Sequence, residues 1–190
     1  MRPQRNRRPA ERVRVINIVD GDTVDVVPAG TRRRGEATRV RLWGIDAPES
    51  DQPLGPQATR ALNDLLRNGR GVLRMETFAY DRYARAIGLL YYEQDGRGRS
   101  VNRTMVQQGY AYSIRIRQGQ GMRQALGLEA AEVEAQQRRL GVWGLAGGDR
   151  ELPWAYRSRQ RQAGQGCLLP IGVTVALILS MLTAAWTLID

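Results

Sequence analysis

The sequence predicts an α+β fold: a closed five-stranded β-barrel with about three helices, followed by one C-terminal transmembrane helix. Three observations predict it. Between residues 13 and 93, short β-branched segments alternate apolar and polar positions, and closing such strands into a barrel removes their exposed edges. Residues 55–68 and much of 101–140 switch to helical spacing, where apolar side chains recur every three or four positions. Residues 167–189 carry no charge at all.

The elements follow in order. VRVINIVD (13–20) and TVDVVPA (23–29) read as strands around the turn Asp20-Gly21-Asp22, a sequence that favours tight turns. GTRRRGE (30–36) reads as a loop, and TRVRLWGID (38–46) as a third strand ended by Ala47-Pro48. Residues 55–68 place Ala58, Ala61, Leu62, Leu65 and Leu66 on one helical face, with Pro56 near the start and Gly69 after the end. VLRMETFAY (72–80) and ARAIGLLYYE (84–93) are the remaining strands, with a turn at 95–98. A short helix is expected over 101–109, stopped by Gly109, and a longer one over 122–140 with Ala125, Leu128, Ala131, Glu132, Ala135 and Leu140 along one side.

The run 167–189 is 23 residues long, about 34 Å as a helix at 1.5 Å per residue, enough for a hydrocarbon core of about 30 Å. Gly172, Ala176, Ser180 and Ala184 recur every four residues along it. That stripe could let two copies pack as a homodimer, although ordinary membrane-helix composition is the favoured account of it. The expected organisation is a basic, disordered tail (1–12), a folded domain (13–149), a basic linker (150–166) and a single-pass membrane anchor (167–189). The N-terminus lacks the apolar core of a secretory signal. The arginines before the apolar run place the soluble domain on the cytoplasmic side.

Composition narrows the chemistry. The 190 residues include 29 Arg, no Lys, no His and one Cys, with a formal net charge of +10. Without His there is no Ser-His or Cys-His nucleophile and no His-ligated zinc. One Cys excludes an intramolecular disulfide, a CxxC redox pair and a cysteine-rich metal cluster. The charge is uneven: +5 lies in residues 1–14, +3 in 150–161, only +3 in 15–149, and −1 at Asp190. Hydrolysis by this chain must use carboxylates, Arg, hydroxyls, water or a hard cation.

Three segments supply those groups. Asp20-Gly21-Asp22-Thr23 sets two carboxylates around a glycine, read alone as a turn or as half of a metal site. Arg41-Leu42-Trp43-Gly44-Ile45-Asp46-Ala47-Pro48-Glu49 offers a cation and then two carboxylates three residues apart. Pro48 holds Ala47 extended, so the Ala47 carbonyl could serve the same ligand. Asp81-Arg82-Tyr83-Ala84-Arg85 is a polar hairpin from which an Arg could reach back. Asp22, Asp46 and a carbonyl are hard oxygen ligands for Ca²⁺, Mg²⁺ or another such divalent ion. Arg41 and Arg85 are planar forks suited to phosphate, and Glu49 is left to orient or deprotonate water. That set suits attack on a phosphodiester. Arg41 and Asp46 differ in strand parity, so a bend near Gly44 must bring them together.

In order along the chain, VDGDTV (19–24), RLWGIDAPES (41–50), GPQAT (55–59), DRYAR (81–85), VNRTMVQQGYA (101–111) and EAQQRRLGVW (134–143) resemble the staphylococcal nuclease family. The resemblance implies an OB-fold barrel and a Ca²⁺-dependent nuclease acting on DNA and RNA, cleaving the 5′ P–O bond. It implies Asp22, Asp46 and the Ala47 carbonyl as metal ligands, Arg41 and Arg85 as phosphate-binding groups, and Glu49 as the candidate general base. Tyr83 is similar to a substrate-contacting residue. Arg115 and Arg117 stand where family prototypes have pocket tyrosines, which favours phosphate contact over base stacking. Ala84 stands where Gly is common; a positive φ there would strain the turn. A non-catalytic nucleic-acid-binding or scaffolding barrel tethered to the membrane is the alternative reading.

Overall fold

The computed structural model describes residues 10–31, 37–68, 72–94, 96–114 and 120–165. The expected membrane span 167–189 with its small-residue stripe, and Arg115 and Arg117, lie outside the described residues. Among the described residues, no helix is long and apolar enough to cross a membrane. The chain divides into two units, residues 1–153 and 154–190.

In the first unit the chain forms β1 (Glu11–Ile18), β2 (Thr23–Pro28), β3 (Thr38–Leu42) and the two-residue β4 (Ile45–Asp46). Then come α1 (Gly55–Asn68), β5 (Leu73–Tyr80), β6 (Ala86–Gln94) and β7 (Arg97–Ser100). The remainder is α2 (Val101–Gln107), β8 (Tyr112–Ser113), α3 (Gln120–Leu126), α4 (Leu128–Gln137) and a 3₁₀ turn over Gly141–Gly144.

Five strands close the expected barrel. They run antiparallel in the order β3-β2-β1-β5-β6, and parallel pairing of β3 with β6 (Val40 opposite Ala86) seals the circle. Alternation along each strand sends one face inward: Val24 and Val26 from β2, Val40 and Leu42 from β3, Leu73 and Met75 from β5, all buried. Helix α1 adds Ala58, Leu62, Leu65 and Leu66 to the same core, the face its spacing predicted. A fully buried Leu contributes about 2 kcal/mol.

The structure departs from the expected elements in four places. The third strand does not run to Asp46: it stops at Leu42, turns through Trp43-Gly44 and resumes as β4, which pairs with β8 (Asp46 opposite Tyr112). Residues 97 and 98, read as the end of a turn, begin a further strand, β7, that extends the sheet against β6. The helix expected over 122–140 is two helices, because Gly127 adopts φ +63° between α3 and α4; a glycine takes that left-handed conformation without steric cost. The segment read as a linker holds helix α5 (Pro153–Gln165), with Pro153 at a first-turn position that needs no N–H donor. All of α5 but Pro153 belongs to the second unit, and there the Arg159 guanidinium stacks on Tyr156, 5.0 Å from the ring centroid.

One buried polar side chain ties α2 to the barrel. Asn102 is fully buried. Its Nδ2 donates to the Trp43 carbonyl (2.8 Å) and its Oδ1 accepts from the Leu90 N–H (3.3 Å). Trp43 opens the turn that carries Asp46, so Asn102 holds the floor beneath the site.

Candidate active site

The β1–β2 turn positions the first carboxylate. Asp20 Oδ1 accepts from the Asp22 N–H at 2.9 Å, an Asx turn that spares the backbone an unpaired donor. Asp22 then points inward, 5% exposed. Its Oδ1 accepts from the Thr23 hydroxyl (3.0 Å) and its Oδ2 from the Ala47 N–H (2.8 Å).

The second carboxylate arrives through the bend at Gly44, whose φ is +78°, a conformation that costs glycine nothing. The reversal cancels the parity mismatch within 41–46. Arg41 Nη2 donates to Asp46 Oδ1 at 2.6 Å, and Arg41 Nη1 lies 2.6 Å from Asp22 Oδ2. The second contact is off-line for a hydrogen bond and acts as a close charge pair. One guanidinium therefore joins two carboxylates from separate turns. Asp46 is 2% exposed, and Arg41 is mostly buried.

Burial dominates the electrostatics. Desolvation pushes the Asp22 carboxyl up to about 7, against the lowering effect of Arg41 and with Asp20 adding to the rise. Low-dielectric surroundings penalise an ionised carboxylate unless a cation is close. The pocket thus favours positive charge between Asp22 and Asp46.

That tests the fit of a divalent ion. Two carboxylates converge on one cationic group, and among the described residues there is no His or Cys to compete. Among the described residues no group of three or more acidic, His or Cys side chains could hold a metal. The donor set fits a hard ion that takes two carboxylates and completes its shell with carbonyl, water and phosphate oxygens. Asp22 and Asp46 would hold it. Ala47 is buried beside them with its N–H on Asp22.

Glu49 sits three residues past Asp46, in the loop that enters α1. The buried Gln52 fixes it: Gln52 Oε1 accepts from the Glu49 N–H (2.9 Å), Gln52 N–H donates to the Glu49 carbonyl (3.0 Å), and Gln52 Nε2 donates to the Glu151 carbonyl (3.1 Å).

Arg85 lies just before β6. Residues 41 and 87 are register partners in the parallel β3–β6 pair, so residue 85 shares the face of residue 41, one side-chain repeat away. Its guanidinium does not join the Asp22–Asp46 pair: Arg85 Nε donates to Asp81 Oδ2 at 2.7 Å. Asp81 Oδ1 also accepts from the Tyr83 and Arg85 N–H groups (2.9 and 3.0 Å). Against a burial that raises it, these bonds from Arg85 and the backbone hold the Asp81 carboxyl below its usual range. Ala84 in this turn has φ +59°, the strained conformation expected from the missing glycine. Tyr83 is 65% exposed, with the Arg82 and Arg85 guanidinium carbons 4.8 and 5.7 Å from its ring centroid.

The structure thus brings Asp22, Arg41, Asp46 and Ala47 together, sets Glu49 and Arg85 on adjacent elements, and leaves Tyr83 exposed beside Arg85. Four residues with organising roles were not legible as such: Asp20, Gln52, Asp81 and Asn102. Asp81 carried a signal, since an Asp four residues before an Arg across a turn can bond both the backbone and the guanidinium. Gln52 and Asn102 act through partners 99 and 59 residues away, which no local pattern reveals.

Residues 39–144 match the family described as staphylococcal nuclease homologue. The chain is 33% identical over 154 residues to a micrococcal nuclease of Shigella flexneri, covering 78% of this chain and 82% of that protein. It is 33% identical over 147 residues to an uncharacterized endonuclease of Escherichia coli O157:H7 (77% and 85%). Endonuclease Htp3 of Saprolegnia parasitica is 29% identical over 168 residues (78% and 76%).

Proposed function

The chain belongs to the staphylococcal nuclease homologues, and from that premise we propose that it is a divalent-metal-dependent endonuclease, with calcium as its ion, that hydrolyses phosphodiester bonds of DNA and RNA. The observation that carries the reading is the pair of buried carboxylates, Asp22 and Asp46, held within 2.6 Å of one guanidinium.

When bound, the ion would supply positive charge to offset the negative charge that builds on the phosphate as its phosphorus is attacked. The rest of the chemistry falls to this chain's residues. Asp22 and Asp46 retain the ion. Arg41 and Arg85 offset the charge that builds on the phosphate in the transition state, where fixed, partly dehydrated forks act most strongly. Glu49 orients and deprotonates the attacking water. The exposed Tyr83 ring offers a surface for the sugar or base.

Residues 167–189 anchor the enzyme in a membrane in this proposal, with the nuclease domain on the cytoplasmic side. Their length, lack of charge and preceding arginines support it. The test of function is cleavage of single-stranded DNA by the full chain with Ca²⁺ and with excess chelator. We expect chelator-sensitive cleavage that leaves 3′-phosphate ends. No cleavage across a wide range of divalent ions would favour the non-catalytic binding module.

A further inference from the structure

A crevice of about 490 Å³ lies between β1 and α1, a size typical of small-ligand sites. Its origin is in the sheet. β1 pairs with β2 out to Ile18 but with β5 only over Glu11–Val13. An irregularity between Val15 and Asn17 bends β1 away from β5. Past Val13, the side of β1 turned from β2 has no strand against it, and α1 crosses there.

The lining has two parts. Val15, Ile18, Leu66 and Leu73 make an apolar floor, and Arg60 and Arg67 stand at its margin. The two arginines are seven residues apart, so they share a face of α1 two turns apart, about 10 Å along the axis. Arg67 Nε bonds Asn63 Oδ1 (3.2 Å), and neither arginine forms an ion pair with a carboxylate among the described residues. Among the described residues no acidic side chain lines the crevice, nor does Asp22, Arg41, Asp46, Glu49 or Arg85. The crevice is therefore separate from the hydrolytic site, yet near it. Ile18 leads in four residues to Asp22, and α1 touches the intervening turn, where a methyl on Gly21 would fall 2.8 Å from Ala58 Cβ.

We propose that this crevice is a second nucleic-acid-binding site, which takes one unstacked nucleotide of a single strand, its base on the apolar floor and its flanking phosphates on Arg60 and Arg67. Guanidinium forks match phosphate geometry. The open β1 edge supplies backbone donors and acceptors to the base. An apolar floor with cations at its margin that form no ion pair among the described residues suits a base flanked by phosphates better than it suits a neutral peptide strand. Only the class of ligand rests on the nuclease reading. The site would hold a strand alongside the hydrolytic centre, so long substrates gain affinity that a dinucleotide does not.

The test is the binding of a fluorescein-labelled oligothymidylate to the full chain by fluorescence anisotropy in excess chelator, as a function of salt. For Arg60→Ala/Arg67→Ala we expect roughly tenfold weaker binding and a slope of log K against log salt smaller by about 1.4, since each phosphate contact on a single strand contributes about 0.7. Arg60→Lys/Arg67→Lys should keep the slope. Asn63→Trp, which fills the crevice, should weaken binding and leave the slope unchanged. Hydrolysis of a thymidine dinucleotide with Ca²⁺ should keep its rate in the double alanine variant. A double alanine variant with wild-type affinity and slope overturns the proposal, as does a wild type that does not bind the oligonucleotide. If Asn63→Trp alone weakens binding, the arginines hold no phosphate and the proposal also fails. A wild type that binds with the arginine-dependent slope but cleaves nothing overturns the nuclease reading and leaves this site standing.

Discussion

The two arginines assigned to phosphate are held differently. Arg41 is mostly buried, joined to Asp22 and Asp46, whereas Arg85 is only part-buried and is clipped to Asp81 across a turn. Removing Arg85 should therefore leave the fold intact and remove charge only where the transition state needs it. We expect Arg85→Ala and Glu49→Gln each to lower turnover by at least about 100-fold, the scale of one preorganised electrostatic group, with melting temperatures near wild type. Steady-state kinetics and thermal melts on the same preparations check this, and near-normal rates in both variants would show the roles to be misassigned. Ala84 gives a second prediction. A left-handed alanine costs roughly 1–2 kcal/mol, and glycine's greater freedom in the unfolded chain returns roughly 0.5–1 kcal/mol of the relief. Ala84→Gly should raise the melting temperature by about 1–3 °C; a fall would mean that the turn is not strained. The cluster of Asp22, Arg41 and Asp46 was legible in the sequence because its groups lie in short segments, the same segments that offered Glu49 and Arg85 as candidates. That Asp81 holds Arg85 was not, because a contiguous motif does not show which partner a long side chain chooses.

Elements set how well those residues are held. Asn102 places a side chain from α2 under the Trp43-Gly44 turn. Asn102→Ala would leave the buried Trp43 carbonyl without its donor, at a cost of about 1–3 kcal/mol. We expect denaturant unfolding to show that loss, together with weaker Ca²⁺ binding by calorimetry; full stability would show that the bond is dispensable. The β2–β3 pair carries a different dependence. Asp25 lies opposite Arg39. Hydrogen bonding to Arg39 holds the Asp25 carboxyl below its usual value against the opposing effect of burial, with a further bond from Asn17 helping. A lowered folded-state value contributes stability above the unfolded pKa of about 3.9, and that contribution is lost as pH falls through the folded value. Asp25→Asn should therefore lose less stability than wild type on acidification below about pH 4; parallel melting curves for the two proteins would contradict this. At this scale the sequence showed the five barrel strands and α1, whose spacing is regular. It hid the split of the third strand, because local alternation continues through Trp43-Gly44. It hid the α3–α4 break because one glycine can sit inside a helical pattern. It hid β4 and β8, too short to have a period.

Across the whole molecule, charge and chemistry are separated. Most of the +10 lies in residues 1–14 and 150–161, while the balanced middle carries the residues proposed for hydrolysis. The flanks suit non-specific attraction to polyanions, and the proposed chemistry draws on only two internal arginines. The apolar run 167–189 was the plainest feature of the sequence, since 23 uncharged residues need no tertiary context to be noticed. A chain lacking 167–190 should be soluble without detergent and keep the nuclease rate of the full chain; aggregation of that chain would show that the segment belongs to the folded domain. The central claim is that Asp22 and Asp46 form the ion site of a phosphodiesterase. Its most direct test is the initial rate of single-stranded DNA cleavage against Ca²⁺ concentration for the wild type and Asp46→Asn. The account predicts Ca²⁺-dependent cleavage by the wild type and, in the variant, a Ca²⁺ requirement at least about tenfold higher or a rate at least about 100-fold lower. Superimposable curves for the two proteins would contradict it.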